Sequence, residues 1–160
     1  MQIFVTSECP AECAQRLWKG SPKRAIKMIT ETQQILACAQ KLLFGEVTLL
    51  KVDGTPFKTP KSRMNHPVVK WASDIVDHMY WLTRHLLFLY AGYKSNGFTS
   101  GFANVLDNIS KLFIQIDVRP IVDSVLDYCN FAKADSKGLD FTHIEDVFEA
   151  YDLFLKAQGA

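Results

Sequence analysis

The chain has 160 residues, 48% of them apolar and 22% charged, with a formal net charge of +1. These values fit one globular domain large enough to bury a sizeable core, and they exclude a fibrous or disordered chain. No apolar run approaches the roughly 20 residues needed to cross a bilayer, and no charged-then-apolar secretory leader opens the sequence, so a cytoplasmic protein without a membrane partner is expected.

In chain order, Gln2–Thr6 is a short apolar segment, and Ser7 is a plausible cap for a helix over Pro10–Trp18. Gly20-Ser21-Pro22 breaks that helix. Lys23–Phe44 then repeats apolar residues at helical spacing and ends at Gly45. Within it Lys27 and Glu31 stand four apart, the spacing of a surface ion pair. Val47–Val52, Asp53-Gly54 and Thr55–Lys58 predict a small hairpin around an Asp-Gly turn. Thr59–Met64 is a basic connector.

The stretch Asn65–Tyr90 predicts one long helix, with Asn65 as cap and Pro67 in the first turn. Asp74, His78, Trp81 and His85 recur along one face of it. Such a stripe is either an aromatic-floored polar cleft or a half-buried helix face whose histidines are satisfied. Ala91–Gly101 reads as a loop. Phe102–Ile116 predicts an amphipathic helix, Pro120 through Cys129 another, Lys133–Leu139 a turn, and Phe141–Lys156 a last helix with Thr142 as a possible cap. The expected fold is mainly α, a compact helical bundle with one small β-hairpin, in a single domain.

Charge is unevenly spread. Residues 1–100 hold 13 Lys and Arg against 7 Asp and Glu, whereas residues 101–160 hold 5 against 10. Arg16, Lys19, Lys23, Arg24 and Lys27 form one basic cluster, and Lys61, Arg63 and Lys70 belong to a second. An anion-facing side that neutralises nucleic-acid phosphates is one reading, a solvated charged face the other. The cysteines Cys9, Cys13, Cys38 and Cys129 include no CxxC pair, so reduced thiols and no metal are expected. None of the generic nucleotide-loop, zinc-protease or serine-hydrolase signatures is present.

The segments IFVTSECPAECAQRL, KRAIKMITETQQIL and NHPVVKWASDIVDHMYWLTRHLLFLY together resemble a family common in phages and some bacteria. It is similar to the phage endonuclease V type of pyrimidine-dimer DNA glycosylase. The resemblance spans roughly residues 2–93, and residues 94–160 form a helical extension of unknown role. It implies an all-helical fold that binds duplex DNA on a basic face and excises a damaged or modified base, without a cofactor. An amine would attack the sugar C1′ to form a Schiff base, assisted by a carboxylate. The chain departs from the family at the chemistry: its second residue, Gln2, is large, and Lys19-Gly20-Ser21-Pro22-Lys23 carries no acid where the family has a glutamate.

On this reading Glu31, Lys27 and His66 are the catalytic candidates. Arg16, Lys19, Lys23, Arg24, Lys61, Arg63 and Lys70 are the DNA-binding candidates. Asn65, Trp71, Asp74, His78, Trp81 and His85 would form the pocket. Two alternatives stand beside it: a DNA-, nucleotide- or nucleotide-signal-binding module without turnover, and a phage factor that binds a host protein.

Overall fold

The computed structural model describes residues 2–117, 126–128 and 130–159. Among these, seven α-helices dominate: α1 (Pro10–Gly20), α2 (Pro22–Phe44), α3 (Lys61–Met64), α4 (Pro67–Asp74), α5 (Val76–Ser95), α6 (Val105–Ile116) and α7 (Val147–Ala157). A two-stranded antiparallel sheet, β1 (Lys133–Ala134) and β2 (Leu139–Asp140), pairs Lys133 with Asp140 and Ala134 with Leu139. The chain is therefore mainly α with one small hairpin. No described helix is long and apolar enough to cross a membrane.

α2 is the central element and packs on α1, α4 and α5. Its N-terminus follows from local chemistry: Ser21 accepts the Arg24 N–H and Pro22 occupies the first turn. Its C-terminus closes where Gly45 takes a left-handed backbone. The N-terminal segment Ile3–Val5 is buried, with Phe4 against Tyr151 and Phe154 of α7, so the first residues and the last helix share one core. α1 and α5 approach closely because Gly92 of α5 leaves room for the Trp18 indole, whose Nε1 donates to the Leu89 carbonyl at 2.9 Å.

Several expectations need correction. The long helix over Asn65–Tyr90 is two helices, broken at Ile75, whose backbone is extended. Asn65 closes α3, and His66 caps α4. α5 continues to Ser95, into residues expected to be a loop. The segment around Asp53-Gly54 makes one isolated bridge, Leu50 to Pro56, flanked by bonds from the Lys51 N–H to the Thr55 carbonyl and from the Phe57 N–H to the Leu49 carbonyl; the Thr55 N–H that would extend the ladder goes to Asp53 Oδ1 instead. The sheet instead lies at Lys133–Asp140, where only a turn is expected; a 3₁₀ turn over Asp135–Lys137 and left-handed Gly138 join its strands. Ser7 does not cap α1; its Oγ accepts the Cys9 N–H and donates to Glu12. α7 starts later than expected, capped by Asp146 rather than Thr142. The helix expected from Pro120 to Cys129 lies outside the described residues apart from Leu126–Tyr128, which are not helical.

Candidate functional site

The Asn-His-Pro corner is built by two helix ends. The Asn65 N–H bonds back to the Lys61 carbonyl and the His66 N–H to the Arg63 carbonyl, each at 3.0 Å, which ends α3. His66 then turns extended and its Nδ1 accepts the Val68 N–H at 3.1 Å. An imidazole that accepts at Nδ1 carries its proton at Nε2. Burial, and then the positive charge at the chain's N-terminus, hold the His66 pKa below its ordinary value. The ring is thus neutral near pH 7, with an Nε2–H to offer.

His66 borders a hollow of about 410 Å³ whose other walls include Gln2, Phe131, Lys133 and Thr142. The Gln2 side chain donates to the Phe131 carbonyl at 2.7 Å, which fixes one wall. The Asn130 amide donates to the Phe141 and Ile144 carbonyls, which fixes another. Among the described residues the carboxylate lining this hollow is Asp135, 3.5 Å from the Lys133 ammonium. Neither Lys27 nor Glu31 lines it, so the three catalytic candidates do not share a cavity wall.

Lys23 and Lys27 are exposed one turn apart on α2, and Lys19 is exposed at the end of α1. Among the described residues Lys27 makes no ion pair, so the expected bridge to Glu31 is not formed. Arg16 is partly committed: its guanidinium donates to the Thr6 carbonyl and lies 3.8 Å from Glu12. Arg24 is half-buried with its guanidinium 5.8 Å from the centre of the Phe4 ring. Arg16, Lys19 and Ser21 line a second hollow, of about 550 Å³, together with Lys156 of α7, which pairs with Asp152 at 2.8 Å. Lys61 and Lys70 are exposed, and the half-buried Arg63 donates to the Lys58 carbonyl at 3.3 Å.

The aromatic-histidine stripe is core, not cleft. His78, Trp81, His85 and Trp71 are buried. Asp74, the last residue of α4, is exposed because the break at Ile75 turns it away from the stripe's helix. The Trp71 and His78 rings stack at 4.3 Å, and Trp81 and His85 at 5.4 Å. Each ring is tied to a carbonyl: His78 Nδ1 to Trp71 at 2.7 Å, His85 Nδ1 to Pro10 at 3.2 Å, Trp71 Nε1 to Asp127 at 2.6 Å and Trp81 Nε1 to Glu8 at 2.9 Å. Burial pushes the His85 pKa down to about 4. A neutral imidazole that spends its only N–H on a carbonyl is a structural residue. As pocket residues Trp71, His78, Trp81 and His85 are therefore corrected.

Cys13 is likewise structural: burial pushes its thiol up to about 11, and its Sγ donates to the Ser7 carbonyl. Among the described residues no three His, Cys, Asp or Glu side chains group as metal ligands would.

A third hollow escaped the sequence reading. It measures about 360 Å³ and lies between α2, the loop around Leu50–Phe57 and the start of α6. Its floor carries Gln33, held by Asn108. The signal was present in the sequence: Gln33 interrupts the apolar face of α2, and Asn108 that of α6. Compared with models of known protein families, with curated proteins and with solved structures, the chain matches none.

Proposed function

We propose that the protein acts on DNA as a base-excision protein, with the hollow at His66 receiving the sugar of the target nucleotide. The observation that carries this reading is that Gln2 and His66 border the same hollow. The glycosylase resemblance implies an amine that attacks C1′, and this hollow is bordered by the opening segment and the Asn-His-Pro corner, two of the stretches that carry the resemblance. In the proposed step the amine nitrogen bonds to C1′ as the glycosidic C–N bond breaks. The base leaves with the electron pair and takes up a proton. The His66 Nε2–H is suited to donate to a sugar or phosphate oxygen, which is electrostatic support rather than base catalysis. Exposed Lys19, Lys23 and Lys27 supply backbone attraction.

Borohydride trapping on duplex DNA bearing pyrimidine dimers or other damaged bases tests the proposal. A covalent adduct supports Schiff-base chemistry, and release of free base without an adduct supports a hydrolytic variant. Intact DNA at every substrate overturns the enzymatic reading.

A second reading, DNA or nucleotide binding without turnover, is favoured by one observation. The carboxylate of the hollow, Asp135, is engaged by Lys133, and Glu31 does not line it. That reading expects binding that weakens steeply with salt, with no base released.

A further inference from the structure

The hollow between α2 and α6 is not used by the proposed chemistry, and it shares no lining residue with the hollow at His66. We infer that this hollow binds a nucleobase, with the amide of Gln33 reading the base edge and Lys51 and Asp53 meeting the sugar-phosphate at the mouth.

The argument begins with unfilled hydrogen-bonding capacity. A carboxamide has two N–H donors and two acceptor lone pairs. Asn108 uses three of these four: its Nδ2 donates to Gln33 Oε1 at 2.8 Å and to the Leu50 carbonyl at 2.9 Å, and its Oδ1 accepts the Leu50 N–H at 2.9 Å. Gln33 uses two. It accepts once, from Asn108, and donates once, from Nε2 to the Ile29 carbonyl at 3.2 Å. Among the described residues, one N–H and one lone pair remain without a partner on an amide that is only 4% exposed and lines the cavity. Asn108 and Ile29 together hold the amide in place. A held glutamine amide with a donor and an acceptor to spare is suited to recognising a base edge.

The walls suit a flat heteroaromatic ring. Phe57 and Phe102 provide aromatic sides, and Leu50, Val52 and Val105 provide aliphatic ones. Phe102 has a φ of 55°, a left-handed backbone rare for a bulky residue, and its ring packs edge-on against Tyr93 at 5.1 Å. The wall is therefore held in place rather than free to collapse inward. The volume lies within the range of small-molecule sites, about 300–1,000 Å³.

The rim carries matching charge. Among the described residues the Lys51 ammonium has no ion pair, so it is available to a phosphate. The Asp53 carboxylate accepts from the Thr55 N–H and hydroxyl and keeps capacity for a sugar hydroxyl. Asn104 donates to the Lys51 carbonyl at 2.6 Å, which positions that loop and leaves the Asn104 Oδ1 as a further acceptor.

The base could be supplied by a free mononucleotide or by a nucleic-acid strand, and the experiment separates the two. The ¹⁵N-labelled full chain is titrated with AMP, GMP, CMP and dTMP, their nucleosides, and a short single-stranded oligodeoxynucleotide. Saturable shifts of the Gln33 side-chain amide and the Leu50–Val52 backbone support the site. Mononucleotides acting alone assign a free ligand, and the oligonucleotide acting alone assigns a strand. Lys51→Glu is expected to abolish the preference for nucleotide over nucleoside. Val52→Trp, at a position 61% exposed and so tolerant of change, is expected to weaken binding by about tenfold or more by filling the mouth. The inference is overturned if no ligand shifts these signals at about 5 mM, if the shifts fall at His66 instead, or if Val52→Trp binds as well as the parent. It stands apart from base excision: borohydride trapping by the parent protein reads the hollow at His66, whatever the titration shows.

Discussion

His78 Nδ1 lies 2.7 Å from the Trp71 carbonyl oxygen, in the place that the Ile75 N–H would occupy if α4 and α5 were one helix. An imidazole thus replaces a backbone donor at the break, and the same ring stacks on the Trp71 indole. His78→Leu removes both contacts and leaves a carbonyl unsatisfied. A loss of about 1–3 kcal/mol is expected, read as a lower urea midpoint. His78→Asn, which retains a donor, is expected to lose less.

His85 makes stability depend on acidity. Its folded pKa of about 4 lies below the ordinary 6.5, so the unfolded chain takes up a proton there more readily than the folded one. Its contribution is fully present above about pH 6.5 and is lost as pH falls toward 4, by about 3 kcal/mol at most. Urea midpoints between pH 7 and 4 check this; His85→Gln should flatten the acid slope across that window.

Gly92→Ala is expected to reverse the usual benefit of alanine in a helix. A Cβ at this position would stand 2.2 Å from Trp18 Nε1, and the indole is fixed by its bond to the Leu89 carbonyl. Forcing the α1–α5 contact apart is expected to cost about 1–3 kcal/mol, measured by thermal or urea unfolding.

Lys23 and Lys27 should contribute to DNA affinity through phosphate attraction alone. Lys23→Glu/Lys27→Glu is expected to weaken duplex binding and to reduce the slope of log K against log salt by about 2. Lys137→Glu, on the exposed turn between β1 and β2, should change neither nearly as much.

His66 has two separable duties, capping α4 and facing the hollow. Asparagine is a good cap, so His66→Asn is expected to keep stability within about 0.5 kcal/mol of the parent while reducing borohydride trapping, whereas His66→Ala loses about 1 kcal/mol as well. Equal trapping by the parent and His66→Asn would remove His66 from the reaction.

The helices were legible because their signals are local. Pro22 and Gly45 bracket α2, and the apolar spacing within it survives to the structure. The break at Ile75 was not, because an isoleucine at helical spacing fits a continuous helix. What breaks it is stabilised by a side chain seven residues from the carbonyl it binds. Whether the stripe is cleft or covered face stayed open for a related reason: periodicity shows that Trp81 and His85 share a face, not that Glu8 and Pro10 cover it. The Asp-Gly turn marked a place where the chain does double back, but only as a single bridge, because the Thr55 N–H serves the Asp53 side chain rather than the facing strand. The Gln33–Asn108 pair joins residues 75 apart, beyond the reach of any window along the chain.

The tied indoles also make the protein its own optical gauge. Trp81 is anchored to the loop before α1, Trp71 to the stretch at Asp127, and Trp18 to α5. Detachment of any of these segments would wet a different chromophore. Single Trp→Phe replacements would then let emission spectra report which part of the molecule loosens first.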